Sequence, residues 1–336
     1  MRLAANPGAR VRFLAAICAG LVLAALCFAC SPKITLFPDY TEPLEEYAIR
    51  GKGADKILAL PIRGFISSEP SSGLVRERPG VLQECTARLD KARKDQAIKA
   101  VILQIDSPGG TVTDSDILYH EIRAFREETG KTVIALIMDV GASGGYYAAL
   151  SADAIMVHPT SVTGSVGVIF ITPKLEGLMD KIGVGAEVVK SGALKDMGSP
   201  FRASTQEEKK LFQDMIDRMA ARFLTLVRER RGLDEARMKT VSTAAVFTGE
   251  EAVALGLADG TGYLEDALAL AREKAKLSED AKVVVYRRAE YKNDNLYNTM
   301  SASAPGRGLV DFGPASALAH MKPGFYYLWA PGAVSQ

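Results

Sequence analysis

Histidine and cysteine are scarce in this 336-residue chain, which has three of the first and four of the second. Cys18, Cys27 and Cys30 fall in one apolar run near the N-terminus, leaving Cys85 alone in the remainder. No disulfide framework and no metal cluster of the zinc type can be assembled from that set. With only His120, His158 and His320 as imidazoles, a hydrolytic mechanism has few histidine bases to draw on. A basic excess is missing too. Arg2, Arg10 and Arg12 precede the apolar run, and the 306 residues after position 30 carry 38 basic against 40 acidic side chains. Affinity for nucleic acid comes largely from phosphate neutralisation, so nucleic acid is excluded as a partner. The composition is not that of a disordered chain either, since 48% of residues are hydrophobic and 24% charged.

What is present begins with Phe13 to Cys30, 18 residues without a charge. As a helix this run is roughly 27 Å long, just enough to cross a bilayer. Arginines before it predict a cytoplasmic N-terminus and export of everything after Ser31. The expected location is the cytoplasmic membrane, with a single N-terminal anchor and the folded part outside. A cleaved secretory signal and a lipoprotein signal lipidated at Cys30 are the other readings of the leader. Residues 31–54, with FPDYTEPLEE, read as a linker.

From Lys56 the pattern becomes regular. ILALPIRGFI (57–66) reads as a strand, and Val81 to Lys94 as an amphipathic helix. KAVILQIDSPGG (99–110) reads as a buried strand ending in a glycine turn, followed by a helix over about 113–125. TVIALIMDVGASGGYYAALSA (132–152) repeats the strand, glycine turn and helix. Continuous apolar strands alternating with helices predict an α/β fold with a parallel sheet covered on both faces. The two glycine turns are then expected side by side at one end of the sheet. AIMVHPTS (154–161) and TGSVGVIF (163–170) continue the pattern. A long helix is expected from Ser204, with Ser204 and Glu207 as its capping box and Leu211, Met215, Met219, Phe223 and Leu226 on one face. Its arginines read as a solvated face or as subunit contacts.

Ser143 in GASGG stands between a buried strand and a helix, so its hydroxyl is expected to project from a sharp corner. The Gly144 amide shares that space, and Gly109 and Gly110 of the neighbouring turn can offer a second amide. Together these groups outline an oxyanion hole for acyl transfer. A serine nucleophile needs a base. His158 precedes Pro159, where a structural role is the simpler expectation, whereas His320 would suit the chain order of an α/β-hydrolase. Lysine is the other candidate, with Lys190 and Lys195 around the turn in VVKSGALKDMGSP (188–200). A lysine must be neutral to act as base, which costs about 4.6 kcal/mol at pH 7 from an ordinary value near 10.4, and burial must supply it. Spacing alone favours neither lysine.

The series DSPGG, GASGGYYAA, TGSVGV, KSGALKDMGSPFR and FTGEEAVALGLAD, in this order between about Ile57 and Leu277, resembles the signal peptide peptidase A family. These are bacterial membrane serine proteases with a Clp-protease-like or crotonase-like fold. The resemblance puts the nucleophile on Ser143, the general-base lysine on Lys195, the oxyanion amides on Gly110 and Gly144, and a lysine-orienting hydroxyl on Ser165. It implies no metal and no cofactor. It also implies a homo-octamer in which the serine of one subunit meets the lysine of its neighbour, and apolar substrates such as released signal peptides. Ala244 and Ala245 stand where the family usually carries Gly-Arg.

The expected organisation is a signal anchor or lipoprotein signal over 1–30, a linker over 31–54, a protease domain over 55–277 and a C-terminal extension over 278–336. The aromatic end of that extension, GFYYLWAPG, is expected to pack on a neighbouring subunit. Pockets lined from the turns are expected to favour small and apolar substrate residues. The expected activity is that of a serine endopeptidase. A histidine-dependent α/β-hydrolase, an acyl-CoA enzyme of the crotonase type and a catalytically silent scaffold are the alternatives.

Overall fold

The structure is a computed structural model that describes residues 42–72, 77–291, 294–298 and 323–329. The apolar leader, Cys30 and His320 lie outside the described residues. The chain divides into the units Met1–Glu42 and Pro43–Gln336, and the second holds everything that follows.

Its strands are β1 (Glu45–Arg50), β2 (Lys56–Arg63), β3 (Ser71–Ser72), β4 (Glu77–Arg78), β5 (Ile98–Ser107), β6 (Gly109–Thr111), β7 (Thr132–Ala142), β8 (Ala154–Val157), β9 (Val162–Gly164), β10 (Ile169–Ile171), β11 (Val246–Thr248), β12 (Gly260–Thr261), β13 (Lys282–Arg287) and β14 (Gly324–Leu328). The helices are α1 (Val81–Lys94), α2 (Val112–Thr129), α3 (Gly144–Ala149), α4 (Glu176–Ile182), α5 (Gln206–Arg231), α6 (Glu235–Val241), α7 (Gly249–Leu255) and α8 (Leu264–Ala275).

The main sheet runs in the order β1-β13-β2-β5-β7-β8-β12, with β9 also paired to β7 and β11 to β9. From β13 to β12 its neighbours are parallel. The expected α/β architecture of repeated strand, turn and helix units is therefore the observed one. Alternate residues explain why each strand is apolar throughout. Leu58, Val101, Leu103, Val133 and Ala135 point into one core, and Ile57, Ala100, Ile102, Ile134 and Leu136 into a second on the other face. Helix α1 covers the first with Leu82, Cys85, Leu89 and Ala92, and α8 covers the second with Leu264, Ala267, Leu268 and Ala271. Burial pushes the Cys85 thiol up to about 12.

β8 stops at Val157 rather than running on to 161, because the chain turns at His158 and Pro159 has no amide to give a ladder. The capping box of α5 is one residue later than expected. Thr205 Oγ1 accepts from the Glu208 amide at 3.2 Å, and Glu208 Oε2 accepts from the Thr205 amide at 3.0 Å. Glu208 rather than Glu207 takes this place because it is buried and also receives the Arg202 guanidinium. The arginines of α5 are ties within the chain: Arg222 pairs with Asp116, Arg230 donates to the Leu150 and Ala152 carbonyls, and Arg231 pairs with Asp259.

The expectation for the aromatic tail is also corrected. Gly324–Leu328 pairs within its own chain, as the central strand of a second sheet in the order β10-β14-β6. Its backbone groups find partners there, and Tyr327 is buried against Tyr147 and Phe223.

Arg202 and then Lys190 hold the Asp196 carboxyl below its ordinary range, and Arg202 does the same for Glu208. A carboxylate with a lowered value in the folded state stabilises above its unfolded value and loses that contribution as pH falls toward the lowered one. Hydrogen exchange over 190–208 is therefore expected to keep constant protection relative to β5 and β7 from about pH 8 to about pH 5, and to lose it below about pH 4. Constant relative protection down to about pH 3 would contradict this linkage.

Candidate active site

β7 ends at Ala142, and Ser143 turns the chain into α3 with φ 51° and ψ −114°. A non-glycine residue seldom adopts a positive φ, and such strain persists only where the surroundings hold it. Here the Ser143 amide donates to the Gly164 carbonyl at 2.8 Å, and the Ser143 carbonyl accepts from the Tyr147 amide at 2.8 Å. The side chain is 1% exposed, and its Oγ has no hydrogen-bond partner. A buried hydroxyl normally finds a partner, so an orphan at a strained corner is a group kept available.

The two glycine turns meet as expected. A Cβ at Gly144 would lie 3.1 Å from Gly109 Cα and 3.1 Å from Gly110 N, and would overlap the Ser115 hydroxyl. Gly109 itself has φ 108°, a conformation that side-chain-bearing residues rarely adopt. Ser107 Oγ accepts from the Gly109 amide at 3.1 Å and donates to the Gly64 carbonyl at 2.6 Å, which fixes this turn. The Gly144 amide makes no backbone hydrogen bond among the described residues. The glycines thus bring two amide-bearing corners together beside an unpartnered hydroxyl.

Ser165 lies next to that corner. Ala142 and Gly164 are opposite each other in the parallel β7–β9 pair, so Ser143 and Ser165 follow equivalent positions, and both have φ 51°. Ser165 is buried, and its amide donates to the Ala245 carbonyl at 2.8 Å.

The two candidate lysines are treated differently. Lys190 Nζ donates to Asp196 Oδ1 at 2.7 Å and to the Ala193 carbonyl at 3.0 Å. Lys195 is exposed, and its side chain has no hydrogen bond or ion pair among the described residues. The single chain does not join Lys195 to the Ser143 hydroxyl, which has no partner at all. Lys195 belongs to a stretch whose apolar side chains Leu178, Ile182, Val184, Val188 and Val189 are uncovered, Val189 being 93% exposed. His158 is the structural imidazole expected beside Pro159. Its Nδ1 bonds the Thr160 hydroxyl at 3.0 Å, and its ring packs edge-on against Tyr263. His120 is exposed on α2.

Sequence reasoning missed the ring cluster behind the corner. Tyr147, on the first turn of α3, donates to Asp116 Oδ1 at 2.6 Å, and Arg222 of α5 grips the same carboxylate at 2.8 Å. Phe223 and Tyr327 complete the cluster. The YY after GASGG was a usable signal for Tyr147, but nothing local ties 327 to 147.

Ala244 has φ 58°, in the left-handed region. It is one of the two alanines that stand where the resembled family carries Gly-Arg, and the shape of the backbone explains the family's glycine. Relief of this strain outweighs the larger unfolded-state freedom of glycine, so Ala244→Gly is expected to raise stability by up to about 1 kcal/mol in urea titration. A lowered midpoint would show that the Cβ contributes packing that exceeds the strain.

The profile of Peptidase family S49 matches residues 125–278. A candidate signal peptide peptidase SppA of Enterococcus faecium is 34% identical over 259 residues, which is 77% of this chain and 73% of that protein. Protease 4 of Salmonella typhi is 35% identical over 205 residues, covering 60% of this chain and 33% of its own length. A solved structure, a mutant of the 1510-N membrane-bound stomatin-specific protease with a substrate peptide, covers 74% of this chain and 99% of that one at 15% identity and a TM-score of 0.41. The profile match, the extent of the Enterococcus alignment and the catalytic-type corner together assign the chain to peptidase family S49, as a serine peptidase.

Proposed function

We propose that this peptidase is a membrane-bound endopeptidase that uses Ser143 as nucleophile and Lys195 as general base to cut apolar peptides such as released signal peptides. The observation that carries the reading is the buried, strained and unpartnered hydroxyl of Ser143 beside the Gly110 and Gly144 amides.

In the first step Ser143 Oγ attacks the substrate carbonyl carbon and gives its proton to the neutral Lys195 amine. The Gly110 and Gly144 amides take up the charge that develops on the carbonyl oxygen. Lys195 then returns the proton to the leaving amine, and water, activated by the same lysine, hydrolyses the acyl-serine. Ser165, at the equivalent corner beside Ser143, orients the lysine. A lysine works this way only when it leaves water for an apolar, enclosed site.

Lys195 comes from a neighbouring copy. The uncovered apolar side chains around it support this, because a patch of that kind marks an interaction surface. A closed homo-oligomer, an octamer in the arrangement that the resemblance implies, would bury them and complete each site. The membrane reading rests on the apolar run Phe13 to Cys30 behind three arginines, as an anchor or, alternatively, as a lipoprotein signal ending before a lipidated Cys30. Among the described residues, no helix is long and apolar enough to cross a membrane. The preference for signal peptides is carried over from what the Enterococcus relative is named for. Because β1 (45–50) and β13 (282–287) are strands of the main sheet, the protease part takes in the end of the expected linker and the start of the expected extension rather than stopping at 55 and 277.

Ser143→Ala and Lys195→Ala are each expected to lower peptide hydrolysis by at least about 1,000-fold. Mixing the two inactive variants under conditions of subunit exchange should restore about a quarter of the sites. Full activity of either single variant would refute the dyad, and no recovery after proven exchange would refute the sharing.

A further inference from the structure

Two lysines stand in the VVKSGALKDMGSP turn, and the proposed mechanism uses only Lys195. The structure gives the other a specific place. Lys190 Nζ donates to Asp196 Oδ1 at 2.7 Å and to the Ala193 carbonyl at 3.0 Å, so it bridges the turn that carries Lys195. Backbone bonds shape the same turn: the Lys195 amide donates to the Gly192 carbonyl at 3.1 Å, and the Ser199 amide donates to the Asp196 carbonyl at 3.0 Å. Asp196 is gripped from a second direction. Arg202 Nε donates to its Oδ2 at 2.9 Å and Nη2 to its Oδ1 at 2.8 Å, a two-pronged pair.

That guanidinium is shared. Arg202 Nη1 donates to Glu208 Oε2 at 3.1 Å, Nη2 pairs with Oε1, and the Glu208 side chain is 1% exposed. One arginine thus serves two carboxylates, and by itself it would leave the group with a net negative charge. Lys190 brings the balance to zero. These are the charged groups that face Asp196 from the arm and from α5. Lys174, before α4, lies at the neck of the arm, where it donates to the Ser199 and Arg202 carbonyls at 2.7 and 3.2 Å.

The balance matters because of what stands beside it. Lys195 immediately precedes Asp196, and a base lysine must be without its charge to accept the serine proton. A nearby carboxylate favours the ammonium, whereas a nearby cation favours the neutral amine. Enclosure of the site strengthens both influences. An unbalanced carboxylate at 196 would hold the proton on the base and confine activity to higher pH.

We infer that Lys190 is a positioning residue for the general base: it takes up the charge of Asp196 and closes the 190–196 turn, which leaves Lys195 free to shed its proton. The inference rests on Lys195 being that base. It divides the work between the two lysines of the turn, one paired and the other without a partner in the single chain. It also gives the Asp196, Arg202 and Glu208 group a task beyond fastening the arm.

The test follows kcat/KM from about pH 6 to about pH 10 in the full chain purified from membranes, with an apolar peptide carrying an aminocoumarin leaving group. Lys190 is exposed, so its replacement leaves the core intact. Lys190→Met and Lys190→Gln are each expected to move the acid limb of the profile up by about one pH unit, which is about a 10-fold loss of rate below the limb and little loss on the plateau. Lys190→Arg should keep the wild-type limb. The double variant Lys190→Met with Asp196→Asn removes one charge of each sign and is expected to return the limb to its wild-type place. An equal loss of rate at every pH with an unmoved limb would make Lys190 merely structural and overturn the inference. A limb that stays displaced in the double variant would do the same, since the carboxylate would not be the cause. Loss of at least about 1,000-fold across the whole range in Lys190→Met would make Lys190 itself the base, and full activity of Lys195→Ala would remove the dyad; both overturn the underlying mechanism rather than the charge balance alone.

Discussion

Parallel pairing of β5 with β7, with both faces of the sheet buried, is the constraint on which the site depends. In a parallel pair both chains leave the sheet at the same edge, so the turn after β5 and the corner after β7 have to share one end. Burial on both faces then fixes the register, because a slip of one residue would exchange the two apolar cores. Glycine at 109, 110 and 144 lets the two corners close to a distance that any side chain would prevent. The strained backbone of Ser143 follows from the same demand, since it must leave β7, donate to Gly164 and start α3 within one residue.

The candidate groups divide sharply by surroundings. Ser143, Gly110 and Gly144 are held in the most buried part of the chain, whereas Lys195 sits on an arm that shows apolar side chains to water. Asp196 and Arg202 anchor the base of that arm to the first turn of α5, so it is attached firmly at one end and uncovered at the other. A site of this kind is half rigid frame and half docking element. Under the proposed mechanism, chemistry waits on assembly.

The parts of the fold legible in the sequence are those with strong local periodicity. Val81–Lys94 was read with both ends correct because its buried residues recur at helical spacing. The strands at 56–63, 98–107 and 132–142 were visible as apolar runs bounded by glycine turns. The Ser143 corner and its glycines were legible for the same reason. The cap of α5 was misplaced by one residue because Ser204-Glu207 and Thr205-Glu208 are equally good text, and only the pairing of the buried Glu208 with Arg202 chooses between them. β14 was not legible. Five residues far along the chain carry no local sign that their partners are Gly109–Thr111 and Ile169–Ile171. Choosing Lys195 over Lys190 needed the family resemblance, and the ion pair of Lys190 with Asp196 is a contact that the sequence alone did not show.

Cys85 gives the last point. Among the described residues it is the one free cysteine, fully enclosed by the core under α1, with a thiol that burial keeps protonated far above neutral pH. Sulfur in that state neither attacks electrophiles nor joins mixed disulfides at a useful rate. Maleimides and glutathione would leave Cys85 untouched, so this thiol gives the folded part no dependence on reducing surroundings.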